Sequence, residues 1–435
     1  MIGDPTLPYR LAIGAIRLAS PLLSTGESKL ARGIEGRRHA HEVLAAWGRT
    51  LRDPAHPVVW FHAPSVGEGL QARAVIRALA ALRPEVQVVF TFFSPSAESL
   101  AERMGAGVAT YLPWDLRRPT SVALDALRPD LLVFTKTEVW PVLTSEAATR
   151  AIPVAIVGAT VPDGAGRMRW PARGLLRPTW RALRLACANT TFDGERLAML
   201  GVSRPAIFVT GDPGIDSAAA RFGGADPRAP YLRPLLESPR PTVVAGSTWA
   251  SDEAVLLPAL DALRGSVPDL RAVIAPHEPD RAHVERLLGS LGRSGWTTRT
   301  LGDVEQVGDA DGVDAIVVDR VGVLAHLYAA ATVSFVGGGF HDAGLHSVLE
   351  PAAAASPVVF GPRHHNTRAA GDLVADGGAR IAASARDLRE IMGAWLQDES
   401  ARNDAGGAAA RYIEGHRGAA ARTAEHLVAL IAPAS

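Results

Sequence analysis

Short apolar runs alternate with helix-period segments along two stretches of the chain. The runs predict buried strands, first at 58–62, 86–90, 108–112, 131–134, 154–157, 185–188 and 207–210, and then at 242–245, 272–275, 315–318, 333–336 and 358–360. Amphipathic helices are predicted between them at 69–82, 97–104, 139–150, 254–263, 280–288, 321–328, 347–355 and 368–375. Because parallel strands need helical crossovers, the pattern predicts two consecutive doubly wound α/β domains.

Composition changes between the two series. Residues 217–240 are rich in Ala, Gly, Arg and Pro, which is typical of a linker. We therefore expect a first domain at 25–216 and a second at 241–435, the latter ending in an Ala-rich helical pattern at 408–432. Residues 1–24 form a separate N-terminal segment.

The N-terminal segment contains 17 residues, 7–23, that are interrupted by Arg10, Arg17 and Pro21. A membrane-spanning helix needs about 20 mostly apolar residues, and a mid-span arginine costs several kcal/mol. We expect an amphipathic helix with the arginines at the rim of its apolar face. It lies either on a membrane or on the protein's own surface, and the sequence alone does not separate the two.

Composition and charge exclude several classes of protein. Hydrophobic residues make up 47% and charged residues 21% of the 435 residues, as in ordinary globular proteins. The 45 basic and 45 acidic residues balance, so no overall field favours nucleic acid as a partner. Cys187 is the only cysteine, and no Cys/His spacing predicts a metal site.

Candidate chemistry follows the first and fourth predicted strands, where doubly wound sheets bind ligands. Ser65 suits a tight strand-to-helix turn, and Glu68 lies at the start of the next helix. Glu68 is either a general base or a charge that neutralises the helix terminus. Lys136 and Glu138 follow the fourth strand and are costly to bury unless paired or functional. They form either a site or a structural ion pair.

The second series carries a similar set of loops. Gly246-Ser247-Thr248 and the run Gly337-Gly338-Gly339 follow strands, and His277 and later Arg363 and Asn366 add polar groups at the same edge. A helix predicted to begin near His346 can bind a phosphate, with Glu350 one turn inside to hold two ribose hydroxyls. The alternative is a glycine-rich turn followed by a solvated helix glutamate.

An ordered set of motifs resembles the 3-deoxy-D-manno-octulosonic acid (Kdo) transferases of lipopolysaccharide synthesis, from about Glu35 to Leu373. The matching blocks are His62–Glu68, Thr91–Ser96, Tyr111–Asp115, Lys136–Trp140, Gly246–Thr248, Ala275–Glu278, Gly337–Phe340 and His346–Pro351. The resemblance implies the GT-B fold, in which two Rossmann-like domains face each other across a cleft. The alternating pattern favours the same architecture.

The resemblance implies a metal-free glycosyltransferase without a cofactor that moves Kdo from CMP-Kdo to a lipid A precursor. It places the general base at Glu68 and gives Glu138 a role in the transition state. The CMP contacts that it implies are Pro276, His277, Gly322, Ser347, Leu349 and Glu350. Ser247, Gly338 and Gly339 complete the expected nucleotide site, and Ser65, Lys136, Arg363 and Asn366 are candidates for substrate binding.

The implied location is the cytoplasmic face of the inner membrane, where the protein is peripheral or anchored by its N-terminal helix. Three positions depart from the family pattern, because Gly214 replaces a basic residue, Val323 a glutamate and Ser347 an asparagine. Two alternatives therefore stay open. One is a GT-B transferase that uses another nucleotide sugar, and the other is a catalytically weak, membrane-attached binding protein.

Overall fold

The computed structural model describes residues 7–23, 28–162 and 164–431. Two seven-stranded sheets lie within these residues, and every strand pairing in them is parallel. The strands are β1 (Val58–Ala63), β2 (Gln87–Phe92), β3 (Val108–Tyr111), β4 (Leu131–Thr135), β5 (Val154–Ala159), β6 (Leu185–Ala188), β7 (Ile207–Val209), β8 (Thr242–Thr248), β9 (Arg271–Pro276), β10 (Thr298–Thr300), β11 (Ala315–Val317), β12 (Val333–Val336), β13 (Val358–Phe360) and β14 (Ala379–Ile381).

Helices connect successive strands within each sheet, and further helices precede β1, follow β7 before β8, and follow β14 in the chain. They are α1 (Leu7–Leu23), α2 (Lys29–Arg38), α3 (Ala40–Thr50), α4 (Val66–Leu82), α5 (Glu98–Ala101), α6 (Arg117–Leu127), α7 (Pro141–Thr149), α8 (Ala172–Arg181), α9 (Thr191–Leu200), α10 (Pro213–Gly223), α11 (Arg233–Glu237), α12 (Ala250–Arg264), α13 (Arg281–Arg293), α14 (Leu301–Val307), α15 (Leu324–Leu327), α16 (Leu349–Ala353), α17 (Arg368–Ala375), α18 (Ala385–Gln397), α19 (Glu399–His416) and α20 (Ala419–Val428).

Both faces of each sheet are buried, which explains why the strands are continuous apolar runs. In β1, Val59 and Phe61 pack into one core cluster, whereas Val58 and Trp60 pack into another. Side chains of a strand alternate between the two faces, so a strand with a core on each side is apolar at nearly every position. The predicted doubly wound α/β architecture is confirmed.

The strand order defines one switch point in each sheet. The first sheet has the order β3-β2-β1-β4-β5-β6-β7, and the second β10-β11-β9-β8-β12-β13-β14. The chain therefore winds away in opposite directions from β1 and β4, and from β8 and β12. Ligands of such sheets bind beyond the carboxyl ends of the strands at these points. The loops after these four strands are the ones that matter for function.

The sequence missed the two strands β10 and β14, which are three residues long and lie at edges of the second sheet. β10 is only half-buried, and the second and third residues of β14 are exposed. An edge strand with few buried residues lacks the apolar run on which the prediction depends. The predicted strands at 185–188, 333–336 and 358–360 have the observed bounds.

The division into compact units differs from the expected domains. One unit comprises the described residues up to Ser217 together with those from Arg417, and the other comprises Ala218–His416. The linker expected at 217–240 is partly helical, because α10 continues through Ser217 to Gly223 and α11 follows. The C-terminal boundary expected at 435 is also wrong. Helix α20 packs on α4, and its Ala420, Ala424 and Leu427 belong to the core of the first unit.

The N-terminal stretch forms the helix α1, as expected, and residues 1–6 and 24 of the segment lie outside the described residues. Large apolar side chains on α1 are exposed, among them Leu11 and Leu18. Across the part of the chain that the structure describes, no helix is long and apolar enough to cross a membrane.

Candidate functional site

Glu68 lies at the switch point of the first sheet, in the first turn of α4. Ser65 is the N-cap residue of that helix, and its hydroxyl donates to Glu68 Oε2. Lys136, the first residue after β4, donates from Nζ to Glu68 Oε1 at 2.9 Å. Because β1 and β4 are neighbours in the sheet, their following loops meet. The structure thus brings together Ser65, Glu68 and Lys136.

The backbone of Lys136 has a φ of +66°, in the left-handed region that few side chains tolerate. Its N–H donates to Val157 O at 2.8 Å, which holds the turn directly after β4. Strained backbone of this kind is concentrated at functional sites. Of the two interpretations left open for Lys136 and Glu138, an ion pair between them is wrong, because Lys136 pairs with Glu68; that they belong to a site stays a prediction.

The two carboxylates of this loop pair have pKa values that shift in opposite directions. Burial raises the pKa of Glu68, but the charge of Lys136 and the hydrogen bonds from Ser65 and Lys136 outweigh it and hold that pKa below its ordinary value. Burial raises the pKa of Glu138 and is the largest effect; the negative charge of Glu68 adds to it, and the positive charges of Arg167 and Arg37 offset it only in part. Such divergence is typical of acid and base pairs in active sites.

Three residues around Glu138 escaped the sequence analysis. A cavity of about 660 Å³ in the first unit is lined by Glu138, Arg167 and Tyr9, with mostly apolar side chains completing its wall. Arg37 is buried; it donates to Phe93 O at 3.2 Å, and burial lowers its pKa to about 10. Nearly all basic residues of the chain are arginines, so nothing in the sequence distinguished Arg37 and Arg167 from the others.

Asp115 is the last residue of the motif Tyr111–Asp115, and its hydrogen bonds show its structural role. Its carboxylate accepts from the N–H groups of Val142 and Leu143 at 3.0 and 2.7 Å, in the first turn of α7. The hydroxyl of Tyr9 on α1 also donates to it. Burial raises the pKa of Asp115 to about 6 despite these hydrogen bonds. Asp115 therefore positions α7 and α1 around the cavity.

The glycine run after β12 fits close packing of the chain on itself. A Cβ added to Gly337, Gly338 or Gly339 would collide with the backbone of Ser247, Gly344 or Gly361, respectively. Gly338 also has a φ of +90°. The groups that approach this backbone closely, which the sequence left unidentified, are therefore other backbone segments of the same unit.

The anion bound by this loop is the carboxylate of Asp252. It lies in the first turn of α12 and is fully buried. Asp252 accepts from the N–H of Gly338 at 2.7 Å, of Phe340 at 3.0 Å and of Trp249 at 2.9 Å. The expectation of a helix start near His346 is wrong, because α16 begins at Leu349 and has five residues. A helix of five residues has a small dipole, so its N-terminus would bind a phosphate only weakly.

Glu350 is buried in the first turn of α16 and is paired with Arg221 of α10, which donates from Nη2 to Glu350 Oε1. The alternative of a solvated helix glutamate is wrong for this reason. Arg221 lies 129 residues earlier in the chain, in the segment that the composition assigned to the linker. No sequence pattern connected the two.

Aromatic rings gather beside the loop after β8. The indole of Trp249 stacks between the rings of His277 and His341, with centroid distances of 4.4 and 4.1 Å. His346 stacks on His277 at 4.5 Å and accepts at Nε2 from Trp249 Nε1 at 3.0 Å. Burial lowers the pKa of His346 to about 4, assisted by His277 and His341. The sequence predicted His277 here and missed Trp249 and His341.

The remaining predicted residues lie in loops or at strand ends of the second unit. Ser247 has a φ of +55° at the end of β8, Pro276 ends β9, and Gly322 has a φ of +96° in the loop after β11. Ser347 is exposed, and its Oγ accepts from Leu349 N at 3.3 Å. Arg363 Nη1 pairs with Asp342 at 2.5 Å. The amide of Asn366 accepts from and donates to the backbone of Leu345, so it holds the loop together.

Comparisons with known proteins connect these loops to one family and one fold. The family "3-Deoxy-D-manno-octulosonic-acid transferase (kdotransferase)" matches residues 38–217. The chain is 26% identical over 372 residues to 3-deoxy-D-manno-octulosonic acid transferase of Haemophilus influenzae, covering 84% of this chain and 85% of that protein. It is 29% identical over 391 residues to the transferase of the same name from Bordetella pertussis, covering 86% and 87%.

Among solved structures, the fold is similar to that of UDP-GlcNAc 2-epimerase from Neisseria meningitidis. The TM-score is 0.58 at 13% identity, and the match covers 86% of this chain and 99% of that one. The similarity shows the fold of the chain, which has two Rossmann-like domains of the GT-B type. In the residues that the structure describes, no group of three or more His, Cys, Asp or Glu side chains could hold a metal ion.

Proposed function

Because this chain belongs to the 3-deoxy-D-manno-octulosonic acid (Kdo) transferase family, we propose that it transfers Kdo from CMP-Kdo to a lipid A precursor in lipopolysaccharide synthesis. The chain is a glycosyltransferase. The observation that carries its proposed chemistry is the carboxylate of Glu68, paired with Lys136 and held ionised at the switch point of the first sheet.

The proposed reaction is a direct displacement at the anomeric carbon of Kdo. Glu68 takes the proton of an acceptor hydroxyl while that oxygen forms the new bond, and CMP leaves with the electron pair of the broken bond. A general base must be deprotonated before it acts. The lowered pKa of Glu68 meets this requirement at neutral pH.

Glu138 is proposed to act on the transition state. Its pKa is raised, and Arg167 and Arg37 are the cations that offset this. As the bond to CMP breaks, positive charge develops at the anomeric carbon, and a nearby carboxylate stabilises that charge more than it stabilises the ground state.

The nucleotide is proposed to bind the loops of the second unit. Glu350, positioned by its ion pair with Arg221, holds the ribose hydroxyls, and Ser247, His277 and Ser347 line the same edge. Pro276, Gly322, Gly338, Gly339 and Leu349 shape this edge with their backbone. The carboxylate and phosphate of the donor need cations, for which Lys136 and Arg363 are proposed.

The acceptor is proposed to enter the cavity that Tyr9, Glu138 and Arg167 line. Its apolar wall suits an amphiphilic molecule, and Arg167 suits a phosphate on the sugar. We place the protein at the cytoplasmic face of the inner membrane, where the exposed apolar side chains of α1 meet the lipid surface.

A transfer assay with CMP-Kdo and a lipid A precursor, read by product mass, tests the proposal. We expect a product heavier by one or more Kdo units. A product formed only with another nucleotide sugar would support the alternative that Val323 and Ser347 left open. Binding of CMP without any transfer would support the weak binding protein that Gly214 suggested. Gly214, where the family has a basic residue, lies beside Gln71. Among the described residues, Lys136 supplies a positive charge in contact with Glu68.

A further inference from the structure

An unusually basic surface lies on the first unit, around α8. Residues 164–192 contain six arginines and neither aspartate nor glutamate. Five of these arginines are exposed, and so is a tryptophan between them. We call this set the arginine surface; it consists of Arg169, Trp170, Arg173, Arg177, Arg181 and Arg184.

Carboxylates of the described residues do not neutralise the charges of the arginine surface. None of its five guanidinium groups forms an ion pair within 4.0 Å with any carboxylate of the described residues. Arg173 donates to Met199 O at 3.1 Å, in the last turn of α9. A helix terminus carries only about half an elementary charge, so one terminus offsets a small part of five positive charges.

The spacing aligns these charges. Arg173, Arg177 and Arg181 follow each other at intervals of four residues, which places them on one face of α8. The methylene groups of Arg177 and Arg181 lie close to Gly201 at the end of α9. Their stems are therefore supported by the protein while the charged ends face outward.

Trp170 is the most exposed large apolar side chain of the described residues, at 88% of its surface. Leu175 on α8 is also exposed. An indole in water buries no apolar area and gains nothing from packing, whereas at a lipid headgroup boundary its apolar body and its N–H are both accommodated. A tryptophan among arginines fits such a boundary.

We propose that the arginine surface binds anionic lipid headgroups and is a second membrane-docking element beside α1. The proposal rests on the membrane location put forward above. It is supported by continuity, because the segment that carries the arginines also lines the acceptor cavity through Arg167, Ala172 and Leu176, and Tyr9 of α1 lines the same cavity. Two docking elements at its rim would deliver a lipid acceptor from the membrane surface into that cavity.

The test is binding of the full chain to vesicles of phosphatidylcholine with and without phosphatidylglycerol. The variant Arg169→Gln/Arg177→Gln/Arg181→Gln should bind the anionic vesicles about a hundredfold more weakly, because each basic residue near an anionic surface strengthens binding roughly fivefold. Trp170→Ser should weaken binding to both kinds of vesicle, since its contribution is apolar.

Two matched variants serve as controls. Arg281→Gln/Arg386→Gln/Arg389→Gln removes the same number of positive charges from exposed positions of the second unit and should bind like the wild type. Arg169→Lys/Arg177→Lys/Arg181→Lys keeps the charge and should retain most of the binding. It also reports on the surface if the glutamine variant does not fold.

Equal losses in the test and control variants would overturn the proposal, and so would wild-type protein that ignores the anionic vesicles. Wild-type protein that binds a short RNA duplex through these arginines, but not the vesicles, would assign the surface to nucleic acid instead. Vesicle binding requires no transfer activity. Failure of the Kdo assay with intact vesicle binding would therefore reject the proposed function alone, and the converse would reject the arginine surface alone.

Discussion

Glu68 and Glu138 are the same residue type in similarly buried positions, and their different neighbours give them different properties. A cation in direct contact with Glu68 favours its charged form. In the part of the chain that the structure describes, Glu138 forms no ion pair within 4.0 Å, and the negative charge of Glu68 favours its neutral form. The loops after β1 and β4 therefore contain two different carboxylates. Glu68 is suited to accept a proton, and Glu138 is suited to a different role.

Glu68→Gln should lower the rate of transfer by about 10²–10⁴-fold, the usual contribution of a general base. The amide keeps the shape of the side chain but cannot accept the proton. CMP affinity, measured by calorimetry, should stay near that of the wild type, because the nucleotide is proposed to bind the second unit. A rate within about threefold of the wild type, far outside that range, would remove Glu68 from its role.

Lys136→Met should move the acid limb of the pH–rate profile to higher pH. The charge of Lys136 lowers the pKa of Glu68, and the base is active only when it is deprotonated, so activity is lost as the pH falls through that pKa. Without the cation, the pKa of Glu68 rises and the loss occurs at higher pH. A lower rate with an unmoved profile would show that Lys136 binds substrate without tuning the base.

Glu350→Ala should weaken CMP binding at least about tenfold in a calorimetric titration, because a hydrogen bond to a charged group contributes about 1.5–3 kcal/mol. Arg221→Met tests whether its partner positions this carboxylate, and we expect a smaller loss. The exposed Glu237→Ala, also in the second unit, is the matched control and should bind CMP normally. An unchanged affinity of the Glu350 variant would exclude it from the nucleotide site.

At the scale of elements, Asp252 links the start of α12 to the loop after β12. One buried carboxylate satisfies three N–H groups that would otherwise lack a partner in the protein interior. Unsatisfied buried donors cost more than the hydrogen bonds themselves contribute. The loop conformation that surrounds the proposed nucleotide edge therefore depends on a residue of another element.

Asp252→Ala should lower the free energy of unfolding by roughly 1.5–3 kcal/mol, since charge-assisted hydrogen bonds are lost and donors remain buried. It should also weaken CMP binding. Urea unfolding of the full chain, followed by tryptophan fluorescence, measures the first effect. Asp342→Asn changes an exposed carboxylate close to the same loop and should have little effect. Equal stability of both variants would contradict the anchoring role.

At the scale of the whole molecule, the chain leaves the first unit through α10 and returns to it with α20. Asp216 in α10 accepts from the N–H groups of Gly418 and Ala420 at 2.7 Å each. Asp216 of α10 thus caps the N-terminus of α20. Helix α1 also belongs to the first unit, and its Tyr9 reaches Asp115 and the acceptor cavity.

Deleting residues 1–24 should release the protein from lipid vesicles and slow transfer to a lipid acceptor. The deletion also removes Tyr9 from the cavity, so Leu11→Ser/Leu18→Ser is the sharper variant, because it removes only exposed apolar surface. Burying two leucines contributes about 3 kcal/mol or more, which corresponds to a loss of vesicle binding of about a hundredfold or more.

The double leucine variant should turn over a short-chain, water-soluble acceptor at the wild-type rate. Tyr9→Phe should bind vesicles like the wild type, since it keeps the aromatic ring and the exposed leucines. A folded leucine variant that still sediments with vesicles and transfers to lipid at the normal rate would refute docking by α1.

The sequence by itself determined the architecture. Strands with a core on both faces must be apolar throughout, so their existence is visible from local composition, and residues that directly follow strands point to the functional edge. Ser65, Glu68, Lys136 and Glu350 were recognised as candidates for this reason. Their roles remain predictions.

Tertiary structure alone decided which of these side chains contact one another. Lys136 pairs with a residue 68 positions away, and Glu350 with one 129 positions away. The order of strands in the sheet and the path of α10 create these contacts, and neither leaves a trace in local periodicity. The same reason hid the capping of α20 by Asp216 and the binding of the glycine loop by Asp252, because hydrogen bonds between distant segments depend on the assembled fold.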